Sequence, residues 1–299
     1  MRPIDARMRP PTALALVALM VSLAAMLSSC VVPPSPRSDG PALARGPRVP
    51  DATIKFSEGL DASLYKARAG GNKGVIVLVH AGGFYSGSRT EIGLYAHPIL
   101  EQLDRGFAVL SVDYRLASGS TNLFPAALED VSNAIDWVHS HGPAHGLNPK
   151  TVLVAGHSSG GTIAALIGLG ANNPGSPRGT TSAVDGWIAI SGFYDLRAEG
   201  LASLQAAVWL GADPSAAKLD SASAVTLVDA SDPPGYLIQG GRDPLVPPAQ
   251  ALSLGAATLG VGNPAWLDIV SDPSCDGHVP TCAVNMAFLN AWVDNVAGR

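Results

Sequence analysis

Residues 156–161 read Gly-His-Ser-Ser-Gly-Gly and follow the apolar run Thr151-Val152-Leu153-Val154-Ala155. The spacing Gly156-x-Ser158-x-Gly160 suits a strand that turns sharply into a helix, with glycines allowing close backbone approach and one hydroxyl held exposed at the turn. A serine hydroxyl is a weak nucleophile at neutral pH. It needs a base beside it, and the base needs an acid that fixes its tautomer. Ser158 is the candidate nucleophile. Ser159, the competing serine, is placed to offer its backbone N–H to a developing oxyanion instead.

The base must come from seven histidines. His80 lies in a Gly-rich loop and is expected to shape it. His97, His139, His141 and His145 fall on helical or post-helical segments and read as solvated or structural. His157 sits inside the turn, where its side chain is expected to point away from the serine. His278, in Asp276-Gly277-His278-Val279 after the last apolar strand, is the best base. The acid candidate is Asp243 in Gln239-Gly240-Gly241-Arg242-Asp243-Pro244-Leu245-Val246-Pro247, with Asp213 and Asp272 as alternatives. Ser158, Asp243 and His278 then follow the chain order that a G-x-S-x-G turn calls for. Acyl transfer also builds negative charge on oxygen, and preorganised N–H donors stabilise it. His80-Ala81-Gly82-Gly83-Phe84 leaves backbone N–H groups unshielded by a Cβ, so the oxyanion donors are assigned to Gly82, Gly83 and Ser159.

These residues must be positioned by the elements around them. Residues 53–56 and 63–67 form an opening hairpin. The continuous apolar run at 75–79 reads as a strand buried on both faces, and 107–112, 151–155, 187–190, 236–239 and 266–270 read as further strands. Helical stretches are expected at about 91–103, 125–139, 162–169, 248–259 and 281–296, with Pro125 suited to a first helical turn. Residues 194–230 carry no clear strand and form a cap-like insert. Strands alternating with helices make an α/β fold with a mostly parallel eight-stranded sheet covered on both faces. Ligands bind such sheets outside the carboxyl ends of the strands, and each candidate residue follows a strand.

The N-terminus has a different character. Arg2, Arg7 and Arg9 precede an apolar run from Ala13 to Leu27, about fifteen residues against the ~20 needed to span a bilayer. Leu27-Ser28-Ser29-Cys30 resembles a bacterial lipobox. Residues 1–29 are therefore read as a lipoprotein-type signal peptide, with Cys30 lipidated and the domain exported, facing the periplasm or cell exterior on a membrane anchor. Residues 30–50 are a Pro-rich tether, and 51–299 the folded domain. Cys275 and Cys282 remain as a pair enclosing His278, expected to be disulfide-bonded in an oxidising compartment, the alternative being two free buried thiols. Residues 1–29 carry three Arg and one Asp, so the formal charge is −5 for the chain and −7 without them. A mildly acidic chain without a basic cluster argues against nucleic acid as a partner.

Together the segments His80-Ala81-Gly82-Gly83-Phe84 with Ser86-Gly87-Ser88, Asp113-Tyr114-Arg115-Leu116-Ala117, Phe124-Pro125-Ala126-Ala127-Leu128-Glu129-Asp130-Val131 and Gly156-His157-Ser158-Ser159-Gly160-Gly161 carry a family resemblance. The chain resembles the hormone-sensitive-lipase-like esterases of the α/β-hydrolase superfamily, the fold-3 group, over roughly residues 52–297. It departs from them at Ala81, where that family has a further glycine, and in having a Pro-rich tether where many members carry cap helices. In this it is also similar to feruloyl- and acetyl-esterase-like members and to kynurenine-formamidase-like proteins. The resemblance implies an α/β-hydrolase fold and a serine carboxylesterase acting on small or short-chain esters, with no metal and no organic cofactor. Alternatives are an arylformamidase or peptidase-like amide hydrolase on the same triad, or a non-catalytic binding lipoprotein.

Overall fold

Strands without polar alternation need cover on both faces, and in the computed structural model of this chain they form the middle of one sheet. The structure describes residues 48–298 apart from 70, 94, 171–182 and 199. The signal segment at 1–29, Cys30 and the tether up to residue 47 lie outside the described residues.

Eight strands are present among the described residues: β1 (Ala52–Ser57), β2 (Leu60–Tyr65), β3 (Gly74–Val79), β4 (Phe107–Val112), β5 (Val152–His157), β6 (Gly186–Ile190), β7 (Gly235–Gly240) and β8 (Trp266–Val270). They lie in the order β1-β2-β4-β3-β5-β6-β7-β8. The β1–β2 and β2–β4 pairs are antiparallel, and all later pairs are parallel. Helices α1 (His97–Leu100), α2 (Ala126–His141), α3 (Ser159–Gly170), α4 (Leu201–Leu210), α5 (Ala216–Ser221), α6 (Ala249–Gly260) and α7 (Met286–Ala297) connect or follow them.

The two-residue period of a strand divides the core. Val75, Val77 and Val79 of β3 join Ala127 of α2, Ile163 of α3, Trp209 of α4 and Leu254 of α6 on one face. Ile76 and Leu78 join Ile99 of α1 and Leu289 and Trp292 of α7 on the other. A helix-covered face on each side is why these strands read as unbroken apolar runs.

Three helical boundaries differ from the sequence reading, the first being α3, which begins at Ser159 rather than Thr162. The stretch expected at 91–103 is the short α1 followed by a 3-10 turn, Glu101–Arg105, because Pro98 sits in the first turn of α1 and the chain before His97 is non-helical. The last helix starts at Met286 rather than near Thr281. Pro280–Cys282 is a separate 3-10 turn, and the Phe288 N–H donates to the Asn285 side chain, which caps α7.

Register sets the depth of the site. Gly156 near the end of β5 pairs with Val79 at the end of β3 and with Ala189 near the end of β6, while Gly240 at the end of β7 pairs with Val270 at the end of β8. The loops after β3, β5, β7 and β8 therefore emerge along one edge of the sheet.

Candidate active site

The turn from β5 into α3 is tight enough to exclude side chains at its flanks. A Cβ on Gly156 would lie 2.2 Å from the Gly160 carbonyl oxygen, and one on Gly160 would lie 2.3 Å from that of Val79. Ser158 takes a left-handed conformation, φ 55°, which costs a residue with a Cβ roughly 1–2 kcal/mol. Its N–H donates to the Ile190 carbonyl at 2.8 Å, and its own carbonyl accepts from the Thr162 N–H at 3.0 Å. The backbone around the turn thus holds one residue in a strained conformation, as occurs where a side chain must be aimed.

That hydroxyl meets the histidine from the last loop. Ser158 Oγ lies 3.0 Å from His278 Nε2, and His278 Nδ1 lies 2.8 Å from Asp243 Oδ2. The carboxylate of Asp243 is inaccessible to solvent. Its other oxygen, Oδ1, accepts from the Leu245 and Val246 N–H groups at 2.8 and 2.9 Å, and Gln239 Nε2 donates to Oδ2 at 3.2 Å. Burial alone would raise the Asp243 pKa. The hydrogen bond and charge of His278 and the two backbone N–H donors outweigh it and hold the carboxyl below the usual carboxylate range. Such an arrangement can carry a proton from a serine hydroxyl to an imidazole whose far nitrogen faces a fixed anion.

The alternative acids are elsewhere. Asp213 is exposed between α4 and α5. Asp272 is exposed, and its Oδ1 accepts from the N–H and hydroxyl of Ser274, a local turn rather than a partner for His278. The other histidines have structural neighbours: His97 faces Glu101, His139 contacts the Ala183 carbonyl, and His141 and His145 pack on Trp137.

The loop after β3 lies beside the turn. Gly82 has φ 127° and Gly83 φ 61°, and a Cβ on Gly82 would meet the Ser86 carbonyl oxygen at 2.0 Å. Neither the Gly82 nor the Gly83 N–H is taken up by another described residue. His80 braces this loop: its ring stacks on Tyr114 at 4.1 Å, and its Nδ1 lies 2.7 Å from the Ala81 carbonyl. The Tyr114 hydroxyl reaches both the His80 carbonyl, at 3.3 Å, and Ser159 Oγ, at 3.4 Å. Ser159, the first residue of α3, is thereby tied through its side chain to the Gly-rich loop, leaving its N–H at the start of a helix, where anionic charge is favoured.

Residues 60–257, well over half of the chain, match the BD-FAE family. The chain belongs to the BD-FAE family. Among curated relatives, this BD-FAE chain is 32% identical over 192 residues to Esterase LipC of Mycobacterium tuberculosis, covering 60% of this chain and 46% of LipC. It is 36% identical over 124 residues to Carboxylic ester hydrolase LipN of the same organism, covering 40% and 31%. The chain thus spans less than half the length of these curated relatives. Among solved structures, a truncated carbohydrate esterase from gut microbiota superposes with TM-score 0.70 at 22% identity, covering 83% of this chain and 95% of that one. Butyrate-bound Est2 of Thermogutta terrifontis gives TM-score 0.65 at 19% identity, covering 82% and 94%. The shared architecture is the α/β-hydrolase fold.

In the BD-FAE chain the insert at 194–230 is built from α4, α5 and a 3-10 turn. It is fixed to the Gly-rich loop by aromatic packing: Trp209 stacks on Phe84 at 4.1 Å and meets Phe124 edge-on, while its carbonyl accepts from the Phe124 N–H. Gln205 on α4 brings Oε1 to 3.6 Å from the position a Gly83 Cβ would occupy. A disulfide joins Cys275 to Cys282 and closes the loop that carries His278. Arg242 secures that loop from the acid side: its N–H donates to the Asp276 carbonyl and its guanidinium pairs with the Asp276 carboxylate. Sequence reasoning assigned His157 no part in the site, yet its Nε2 lies 2.7 Å from the His278 carbonyl oxygen. The available signal was a histidine closing an otherwise apolar buried strand, since a buried polar group there requires a partner.

Proposed function

We propose that this BD-FAE chain is a carboxylic ester hydrolase acting through an acyl-enzyme on Ser158. The observation that carries the reading is the chain of contacts from Ser158 Oγ to His278 Nε2 and from His278 Nδ1 to Asp243 Oδ2, at 3.0 and 2.8 Å. His278 takes the hydroxyl proton as Ser158 Oγ adds to the ester carbonyl. Asp243 keeps the imidazole in the tautomer whose Nε2 lone pair faces the serine and stabilises the imidazolium that forms. The carbonyl oxygen becomes an oxyanion held by the N–H groups of Gly82, Gly83 and Ser159, each such donor contributing about 3–4 kcal/mol in enzymes where it has been removed. Collapse expels the alcohol, which receives the proton from His278. Water then adds to the acyl-enzyme by the same path, releasing the acid and regenerating Ser158.

The small insert and its aromatic seal against Phe84 support short acyl groups as substrates. The relatives' names, esterase and carboxylic ester hydrolase, support ester rather than amide cleavage. Hydrolysis of p-nitrophenyl acetate by the protein without residues 1–29, compared with Ser158→Ala, tests the mechanism. We expect turnover by the parent and loss of it in the variant; equal rates overturn the reading. An acyl-length series run beside formyl anilides distinguishes esterase from formamidase, with short esters expected to be preferred. The basic and apolar start and Leu27-Ser28-Ser29-Cys30 support export and lipidation at Cys30. Labelling of cells with a radioactive fatty acid should mark the parent and not Cys30→Ala, and an unlabelled parent refutes the anchor.

A further inference from the structure

The residue immediately before the candidate nucleophile is a buried histidine that the reaction does not use. His157 ends β5, is 3% exposed and stacks face to face on Tyr95, with ring centroids 5.1 Å apart. Its Nε2 lies 2.7 Å from the His278 carbonyl oxygen, and its ring centroid 4.9 Å from that of His278.

A carbonyl oxygen only accepts, so Nε2 must carry the proton and donate it. The opposite nitrogen, Nδ1, is buried without a hydrogen-bond partner among the described residues, as suits a lone pair and not an N–H. A cationic His157 would place an orphaned donor in a dry site beside a second imidazole. The groups facing it are the Tyr95 ring, His278 and, beyond it, the Asp243 carboxylate. Burial first, and the charge on His278 second, push its pKa down to about 3, against the smaller opposite pulls of the carbonyl it bonds and of Asp243.

The contact also links two parts of the site that no other described backbone bond joins directly. His157 is covalently attached to Ser158, whose backbone is fixed by the strained turn. The carbonyl it holds belongs to the residue that must reach Ser158 Oγ. On the far side of the loop, the Arg242 N–H donates to the Asp276 carbonyl at 2.9 Å, and the Gly277 carbonyl packs where a Gly240 Cβ would be, at 2.0 Å. Of these three successive carbonyls, those of Asp276 and Gly277 lie against residues 240–242 at the end of β7, and only that of His278 is referred to the nucleophile's own strand.

We propose that His157, as a permanently neutral Nε2–H tautomer, is a positioning residue that sets the distance between His278 and Ser158 by holding the His278 carbonyl. This rests on Ser158 and His278 acting as nucleophile and base. Its neutrality matters because His278 becomes cationic during acyl transfer. A neutral neighbour neither repels that charge nor competes for the Asp243 carboxylate.

The test compares the parent with His157→Phe, which keeps a flat ring and removes the donor, and His157→Gln, whose amide can place an N–H near the former Nε2. With p-nitrophenyl acetate, kcat of His157→Phe should fall roughly 10- to 100-fold, the scale of a small displacement of a catalytic group, with KM within about twofold. His157→Gln should recover most of the loss. A Phe variant as fast as the parent, or Phe and Gln variants equally slow, overturns the proposal. Nitrogen-15 spectra of histidine-labelled parent protein give a readout that needs no variant to fold. His157 should show one neutral Nε2–H tautomer from about pH 5 to pH 9, across the range where an ordinary histidine titrates. A Nδ1–H tautomer or a titrating ring overturns it. An inactive parent, or Ser158→Ala as active as the parent, would instead sink the underlying hydrolase reading, so the two failures are distinguishable.

Discussion

Replacing Asp243 by Asn removes a charge while leaving the shape of the side chain, and the structure determines which way the amide must face. The oxygen Oδ1 accepts from two backbone N–H groups, of Leu245 and Val246, which cannot change their donor character. The Oδ2 position faces His278 Nδ1, whose protonation can change, and Gln239 Nε2, which the Gly240 and Val246 carbonyls hold as a donor. The Asn carbonyl therefore stays with the backbone, and its NH2 turns to His278. That forces Nδ1 to accept and moves the imidazole proton to Nε2, 3.0 Å from Ser158 Oγ, where a lone pair is needed. The base is blocked by its tautomer without being displaced. The same substitution in a serine-protease triad lowers kcat by about 10⁴, equivalent to roughly 5.4 kcal/mol of transition-state stabilisation at 1.36 kcal/mol per tenfold. Stability should suffer much less, by about 1–3 kcal/mol, because the rearrangement leaves Gln239 with an unfavourable donor–donor contact. Steady-state kinetics on p-nitrophenyl acetate beside urea denaturation separate the two effects. An Asp243→Asn enzyme folded like the parent, with kcat within tenfold of it, would refute the role assigned to this carboxylate.

Ser158→Gly should be more stable than Ser158→Ala by about 0.5–1 kcal/mol in urea denaturation, since glycine relieves the left-handed strain at φ 55° and gives back only part of the gain as backbone entropy; an Ala variant at least as stable contradicts the strained turn. Asp232 tests the pH dependence of stability. Burial chiefly, and the charge of Asp229, raise its pKa to about 6, although the Asp229 N–H opposes them, and Oδ1 is buried without a partner among the described residues. A raised acid contributes stability below its unfolded pKa of about 4 and loses it as pH rises through about 6. Asp232→Asn should therefore raise Tm at about pH 8 and not at about pH 4, and an equal effect at both would exclude titration of Asp232 as the cause. Reduction of the Cys275–Cys282 bridge should lower kcat, because it frees the loop that carries His278; unchanged turnover after thiol titration confirms reduction would show that Arg242 and the neighbouring backbone suffice to hold that loop.

The central strands were legible because burial on both faces leaves an apolar signature, unbroken in Val75-Ile76-Val77-Leu78-Val79. Ser158, His278 and Asp243 were legible because each follows such a strand, and parallel strands place those ends together. Asp243 ranked above Asp272 by its place after the penultimate strand, and the contacts agree: Asp243 faces an imidazole and Asp272 a serine two residues away. Helix starts were less legible because local contacts decide them. Pro280–Cys282 forms its own turn within the disulfide loop, and the Asn285 cap begins α7 several residues later than periodicity suggests. For His157 the sequence signalled only that a buried histidine needs a partner; which partner was not legible, because it is a backbone carbonyl 121 residues away and a backbone atom leaves no mark in the sequence.

The central claim is that an acyl group passes through Ser158. Rapid acid quench of the protein during turnover of p-nitrophenyl acetate, followed by proteolysis and fragmentation mass spectrometry, reads the site of acylation. The account predicts one acetyl group on Ser158, formed in an initial burst and absent in Ser158→Ala. An acetyl group on Ser159 instead, or sustained turnover with no acylated serine at any quench time, would contradict it.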